Sequence, residues 1–323
     1  MSAIFHPLAS GITVIERGWL NCNQIVLKAA DSNILIDSGY GRHADKTLRA
    51  VAHALDDAPL HRLINTHCHS DHMGGNRAVR ERYSCRVTIP AGEVAHIVPW
   101  TAQSCWSAQM DQYAEEFQFD DTLAAGDAFD GGGSSWAVIA APGHDMDALM
   151  FWSAAERILI TGDALWERGM GFVFPGGASG ADAVKAKNAS SASSAYINAA
   201  FQTLDAIEAL NPQLVIPGHG APFAEVAAAL AFARSRLRAL AADPVKNARN
   251  VVKGLFVFAL LDKGSMPASE LPAYLASVPV YRDMDGRFLH LGFEAMAASL
   301  LADLSRSGAV RVDRGLLLPT MRT

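Results

Sequence analysis

Residues 66–75 read Thr-His-Cys-His-Ser-Asp-His-Met-Gly-Gly, and this run packs three imidazoles and one carboxylate, His67, His69, Asp71 and His72, into six positions. Neutral imidazole nitrogens and carboxylate oxygens are the donors that Zn²⁺ and related divalent ions take, and a short run can aim several at one place. His67 and His69 are two apart, so on an extended backbone their side chains leave the same face. If the strand ends there, Asp71 and His72 turn toward a second, adjacent position. Gly74 and Gly75 then relax the backbone before residues 76–82, which have the composition of a helix. A lone histidine usually means a surface residue, whereas this density means metal-ligand chemistry. Cys68 points the other way in an extended register and reads as a packed thiol.

Outward from this run, residues 60–65 (Leu-His-Arg-Leu-Ile-Asn) form the apolar strand that delivers the motif. Three later strands end in the same fashion. Residues 137–145 run into a Pro-Gly-His turn carrying His144, residues 158–163 close on Asp163, and residues 214–220 place His219 just past an apolar run. Loops at one edge of a sheet converge, so the recurrence predicts seven ligands in one place: His67, His69, Asp71, His72, His144, Asp163 and His219. Seven ligands make two metal sites. His6, His43, His53, His61, His96 and His290 have no such setting and read as ordinary surface or core residues.

Elsewhere the pattern predicts strands over residues 11–16, 23–28, 34–37, 86–90 and 148–152 and a helix over 44–55. Residues 92–118 carry Trp100, Trp106, Met110, Tyr113 and Phe117 and predict a helical insertion, either packing or the hydrophobic wall of a cleft. Residues 166–195 are rich in glycine and small residues without phosphate-loop spacing and predict a flexible connection or lid. Helices follow over 196–210 and 224–242, and Asp243-Pro244 marks a break. Helices over 251–261, 268–275 and 291–307 and a hairpin over 309–318 then predict a winged-helix-like unit. The expected division is a catalytic domain over residues 1–235 and that unit over 236–323.

Half of the 323 residues are apolar and 19% charged, which marks an ordered protein with a sizeable core. A net charge of −6 argues against a general polyanion-binding surface, and residues 243–323 hold ten Lys and Arg against eight Asp and Glu, so the tail is not basic. The N-terminal residues lack a secretory pattern, no apolar run approaches the ~20 residues of a membrane span, and the four cysteines show no CxxC spacing. A soluble cytoplasmic protein is expected.

With these residues in view, the chain resembles the metallo-β-lactamase superfamily of binuclear metal hydrolases over about its first 235 residues. The His-x-His-x-Asp-His run at 67–72, the Pro-Gly-His at 142–144, the Gly-Asp at 162–163 and the Pro-Gly-His-Gly at 217–220 occur in the family's order. Asp37, in Ile-Asp-Ser-Gly, resembles the family's strand-end aspartate, which supports the ligands rather than binding metal. The resemblance implies an α+β fold, a four-layered αββα sandwich with the metals at one edge between the sheets. It assigns His67, His69 and His144 to one ion, Asp71, His72 and His219 to the other, and Asp163 as the bridge. The expected cofactors are two divalent metal ions, zinc by preference, with manganese or iron accepted by the same ligands.

The bridging aspartate disfavours β-lactam hydrolysis and resembles the glyoxalase II, lactonase and nuclease branches. Lactonases of this group tend to carry a tyrosine three residues past it, where this chain has Trp166. A catalytic domain with a small winged-helix-like tail resembles a branch of hydrolases, some of which cleave single-stranded RNA. Two ions ~3.5–4 Å apart share a water and lower its pKa toward about 7, giving a bridging hydroxide at neutral pH. The expected activity is hydrolysis of a small ester, thioester or lactone, with Asp71 as the catalytic residue that orients the nucleophile and takes its proton. A metal-dependent phosphodiesterase or endoribonuclease is the alternative. A di-iron redox protein lacks its flavodoxin-like partner domain here, and a non-enzymatic DNA-binding regulator leaves the seven ligands without a purpose. The expected partner is a small-molecule substrate, with nucleic acid the alternative and no membrane. The tail reads as a packing or dimerisation element, which leaves room for a homodimer.

Overall fold

Short β-branched and apolar runs become strands because both of their faces find cover, and in this chain they assemble into two sheets laid face to face. The computed structural model describes residues 3–8, 11–101, 106–176 and 189–321, with side chains from residue 195 onward in the helix Ala189–Leu210. The first sheet has the order β1 (Ile4–Pro7), β2 (Ile12–Glu16), β3 (Gln24–Leu27), β4 (Ile34–Ile36), β5 (Arg62–Ile64), β6 (Arg86–Pro90) and β7 (Asp121–Leu123). Its first four strands are antiparallel hairpin neighbours, and β4 through β7 pair in parallel. The second sheet has the order β12 (Leu214–Pro217), β11 (Ile158–Gly162), β10 (Leu149–Ser153), β9 (Ser134–Ala140) and β8 (Ala128–Gly131), with only β11 and β12 parallel.

Between the sheets lies an apolar layer. Ile12, Val14, Ile25, Ile36 and Ile64 of the first sheet meet Trp136, Val138, Phe151, Ile160 and Ile216 of the second. In β9 the alternation puts Trp136 and Val138 inward, and the Trp136 indole N–H donates to the Gly131 carbonyl at 2.9 Å, so the one polar atom of that ring is satisfied. Helices Ala44–Leu55 and Asn76–Tyr83 cover the outer face of the first sheet through Val51, Leu55 and Val79. Helices Ala189–Leu210 and Val226–Ala242 cover the second through Leu204, Ile207, Leu230 and Leu237. The four layers are therefore helix, sheet, sheet, helix, as expected.

The C-terminal region is mostly helical and has its own core. Helix Pro244–Lys263 starts at Asp243, whose carboxylate accepts from the Lys246 amide at 2.9 Å, with proline at the first helical position. There follow the strand β13 (Met266–Pro267), helices Leu271–Ser277, Pro279–Met284 and Phe293–Arg306, and the hairpin β14 (Val310–Asp313) and β15 (Leu316–Pro319). The hairpin turns on Arg314 and Gly315, both at positive φ, the geometry a two-residue loop demands. Val252, Phe256, Leu260, Leu275 and Leu300 form a cluster that also takes in Leu20, Tyr40, Met110 and Phe174 from the sandwich. The position expected to divide the two parts, between residues 235 and 236, falls inside helix Val226–Ala242.

Two expectations are corrected. Residues 92–118 do not make a helical insertion: they hold only single turns at Ala91–Glu93, Val94–Ile97 and Trp106–Gln109 and otherwise irregular chain, with 102–105 outside the described residues. Aromatic side chains that pack in separate directions, Trp100 and Phe117 on the first sheet and Trp106 and Tyr113 on the C-terminal core, explain why no long helix forms among the described residues. The stretch 166–195 is not loop throughout, because a helix begins at Ala189; residues 177–188 lie outside the described residues. Among the described residues no helix is long and apolar enough to cross a membrane.

The layer between the sheets gives a direct test. Phe151 is fully buried, edge-on to Phe129 at 5.3 Å. Phe151→Ala is expected to destabilise the fold by about 3–5 kcal/mol. Urea unfolding followed by circular dichroism checks this, and a loss under about 1 kcal/mol would contradict the packed two-sheet core.

Candidate metal centre

All seven residues singled out in the sequence come together at one edge of the sandwich, where strand ends of both sheets meet. Strand β5 delivers Thr66 and His67. His69 is still extended (φ −74°, ψ 154°), and Ser70–Met73 then forms a single helical turn, with the His72 and Met73 amides donating to the His69 carbonyl. That turn brings His72 beside His67, their ring centres 4.0 Å apart. The turn after β9 carries His144, the end of β11 carries Asp163, and the end of β12 carries His219. Asn23 holds this last loop: its side-chain amide donates to the carbonyls of Pro217 (2.9 Å) and Gly220 (2.7 Å). A Cβ on Gly218 would lie 2.3 Å from Asp163 Oδ1, so the His219 loop can close on Asp163 only through glycine.

The donor atoms fall into two groups joined by one carboxylate. His67 Nε2 lies 3.1 Å from His69 Nδ1, which lies 2.8 Å from His144 Nε2. In the second group Asp71 Oδ2 is 3.1 Å from His219 Nε2 and 3.8 Å from His72 Nε2. Asp163 spans them, with Oδ2 3.5 Å from His144 Nε2 and Oδ1 3.3 Å from His72 Nε2 and 3.7 Å from His219 Nε2. Within each of the triads His67/His69/His144, His67/His72/Asp163 and Asp71/His72/His219, donor atoms lie within 4.8 Å of one another.

The outer nitrogens settle the tautomers. His144 Nδ1 donates to the Phe172 carbonyl at 2.7 Å. The Thr66 hydroxyl donates to Asp37 Oδ2 at 2.8 Å and so accepts from His67 Nδ1 at 3.1 Å. His72 Nδ1 donates to Asp37 Oδ2 at 2.8 Å, and His69 Nε2 faces Asp145 Oδ2 at 3.5 Å. The His67, His72 and His144 rings are anchored on their outer side and turn Nε2 inward. The Nε2 atoms of His67 and His144 both converge on His69 Nδ1, and His72 Nε2 is buried without a hydrogen bond of its own. The donor set therefore fits divalent metal ions.

Electrostatics agree. Burial, reinforced by the neighbouring imidazoles, pushes His67 well down and His69 to about 4, so both rings are neutral at pH 7. Burial would raise the Asp163 carboxyl, but His219, His72 and His144 outweigh it and hold the group well below the usual range. Asp71 is likewise lowered, by His72 and His219 against burial. Burial lowers His72, yet Cys22, Asp163, Asp37 and Asp71 together carry it well above its ordinary value. Cys22 forms another close group with Asp37 and His72; burial pushes its thiol up to about 11, and Asp37 is engaged by Thr66 and His72.

Several contributors carried no signal in the sequence. Glu93, fully buried, accepts from the Cys68 amide at 2.9 Å and so braces the strand between His67 and His69. Burial and then Asp145 raise its carboxyl well above the usual range. Trp19 stacks on His219 (5.3 Å, 21°), and Trp166 stands edge-on to it at 5.1 Å while its N–H donates to Asp163 Oδ1 at 3.3 Å. The centre opens into a cavity of about 530 Å³, whose other walls include Met110, Phe172 and Phe174 and, unexpectedly, helix Pro244–Lys263. The insertions at 92–118 and 166–195 thus supply only part of the wall. The tail, read from sequence as a packing or dimerisation element, supplies the rest.

A two-sheet sandwich with paired His/Asp clusters at its edge defines a class of metal-dependent proteins. The family model for the metallo-beta-lactamase superfamily matches residues 17–219, and the chain belongs to that superfamily. It is 32% identical over 150 residues to a hydroxyacylglutathione hydrolase of Hyphomonas neptunium, a match covering 43% of this chain and 51% of that one, so the chain spans about half the length of that curated relative. A beta-lactamase domain protein from Burkholderia ambifaria superposes with a TM-score of 0.59 at 19% identity, covering 99% of this chain and 94% of that one. A metallo-beta-lactamase family protein from Thermus thermophilus gives 0.51 at 23%, covering 98% and 97%. These two share the fold.

Asp37 carries the support of two rings, so Asp37→Ala is expected to weaken metal binding about 10–100-fold; chelator competition measures it, and unchanged affinity would contradict the anchoring role. His72 is protonated in the metal-free fold, and ligation needs its bare Nε2, so binding must expel that proton. Metal affinity is therefore expected to rise with pH, about tenfold per unit below the pKa of His72. Calorimetry in buffers of differing ionisation enthalpy should report about one proton released per protein, and a pH-independent affinity would refute the assignment.

Proposed function

We propose that this chain is a binuclear, divalent-metal-dependent hydrolase acting on a small thioester or ester, with zinc as the preferred ion. The observation that carries the reading is Asp163, whose two oxygens face two separate ligand groups. His67, His69 and His144 would hold one ion, Asp71, His72 and His219 the other. Bound there, such ions supply a Lewis acid and lower the pKa of water toward about 7.

The chain's own residues do the rest. Asp71 is a partly buried anion with Oδ2 beside His219 and access to the cavity, so it can orient a water and accept its proton. Trp19 and Trp166 cover His219 and keep bulk solvent from that side. Trp166 fills with an indole the place where related lactonases carry a phenol, which favours thioesters over lactones. The relative named for hydroxyacylglutathione hydrolysis supports the same bond type. From the order helix, short strand, helices, hairpin we read the C-terminal region as a winged-helix-like unit, here turned to lining the cavity.

The metal-loaded protein is expected to hydrolyse members of a panel of acyl thioesters and esters, and Asp163→Ala to lower that rate about 100-fold or more. Turnover of a bis-phosphodiester alone would move the protein to the nuclease branch. Wild-type rate and metal content in Asp163→Ala would refute the binuclear scheme.

A further inference from the structure

Helix Pro244–Lys263 presents one face to the metal cavity, at spacings of three and four residues: Asn250, Lys253, Gly254, Val257, Phe258 and Leu261. The polar members sit at one end and the apolar ones at the other. Phe172, Phe174 and Met110 line the same cavity, together with the candidate ligands His69, Asp71, His144, Asp163 and His219. Gly254 is what lets the two walls meet: a Cβ there would lie 1.9 Å from the Phe172 ring, so that ring rests directly on the helix backbone. Phe172 also holds His144 through its carbonyl, which puts the apolar wall in register with the first ligand group. Phe258 is fixed in turn by edge contact with Tyr40 at 5.4 Å. Both walls are built of packed side chains, and the space between them is continuous with the centre.

A pocket of about 530 Å³ is in the range that encloses a whole small ligand. Besides the ligands its polar lining is Gln112, Asn250, Lys253, Asp303, Arg306 and Ser307, and the rest is mostly apolar, so a polar acyl group laid against Phe174, Val257 and Phe258 would leave hydrogen bonds unmade there. We infer that this slot holds an extended apolar acyl chain of the substrate, with its carbonyl at the metal ligands, and that the C-terminal helix sets this preference. The inference rests on the hydrolase reading for the bond cleaved, but not for the binding of the chain. The substrate class is a medium-chain or phenyl-bearing acyl thioester or ester, in place of a short hydroxyacyl one.

Straight-chain carboxylates, the acid products of any such cleavage, test this without turnover. The metal-loaded full chain is titrated by calorimetry with acetate, butanoate, hexanoate and octanoate. The carboxylate end contributes equally across the series, so the slope reports the slot alone. Affinity is expected to rise up to about fourfold per added methylene. A flat or falling series overturns the inference. Val257→Asp, checked for full metal content, is expected to flatten the series, and a slope as steep as that of the unaltered chain would also overturn it. If the slope is steep but no thioester or ester is cleaved, the hydrolase reading fails and the apolar site stands.

Discussion

The centre depends on one buried carboxylate. Asp37 ends β4 in a left-handed conformation (φ 59°), which turns its side chain across the top of β5. There it accepts from the Thr66 amide and hydroxyl and from His72 Nδ1, each at 2.8 Å. An ionised acceptor fully removed from water persists only with such charge-assisted partners, and these are the groups that orient two ligand rings. The Thr66 carbonyl in turn accepts from the Leu149 amide at 2.8 Å, which ties the ligand loop of the first sheet to β10 of the second. Asn23 completes the bracing from β3 to the His219 loop. The sheets are thus locked together where their strand ends supply ligands, so the donor atoms are positioned before any ion arrives.

The opposing shifts at the site share a cause. Imidazoles and carboxylates crowd a space nearly closed to water, and each group resists charge of its own sign while drawing the opposite. His67 and His69 stay neutral, the carboxylates stay ionised, and His72, surrounded by acidic neighbours, takes the proton. A divalent ion replaces that proton with a larger charge, which is why this crowded cluster suits metal binding and why that binding depends on pH.

Part of the cavity wall comes from elsewhere in the chain. The family match ends at residue 219, whereas the wall facing the ligands comes from helix Pro244–Lys263. The C-terminal region packs on Tyr40, Met110 and Phe174 through its own apolar core, so it is held against the sandwich by burial over a broad area. The candidate ligands and this part of the cavity wall can then change independently, one in strand ends and the other in a helix face.

Strand-end motifs were legible because metal ligation needs particular side chains at short spacings: residues 66–75, His144, Asp163 and His219 could be read directly, as could the long helices. Strands β7 and β8 were not, since Asp-Thr-Leu and Ala-Phe-Asp-Gly become strands only by pairing with β6 and β9. The aromatic stretch 92–118 misled for a related reason, because each ring answers to a different neighbouring surface and not to its own helix period. The candidate ligands were written in the chain itself, in residue types at short spacings, whereas the layered fold followed from the family resemblance those motifs carry. That Glu93, Trp19, the Phe172 carbonyl and the face of helix Pro244–Lys263 belong to the site emerged only on folding. Those contacts join residues far apart in the chain, and no local spacing records them.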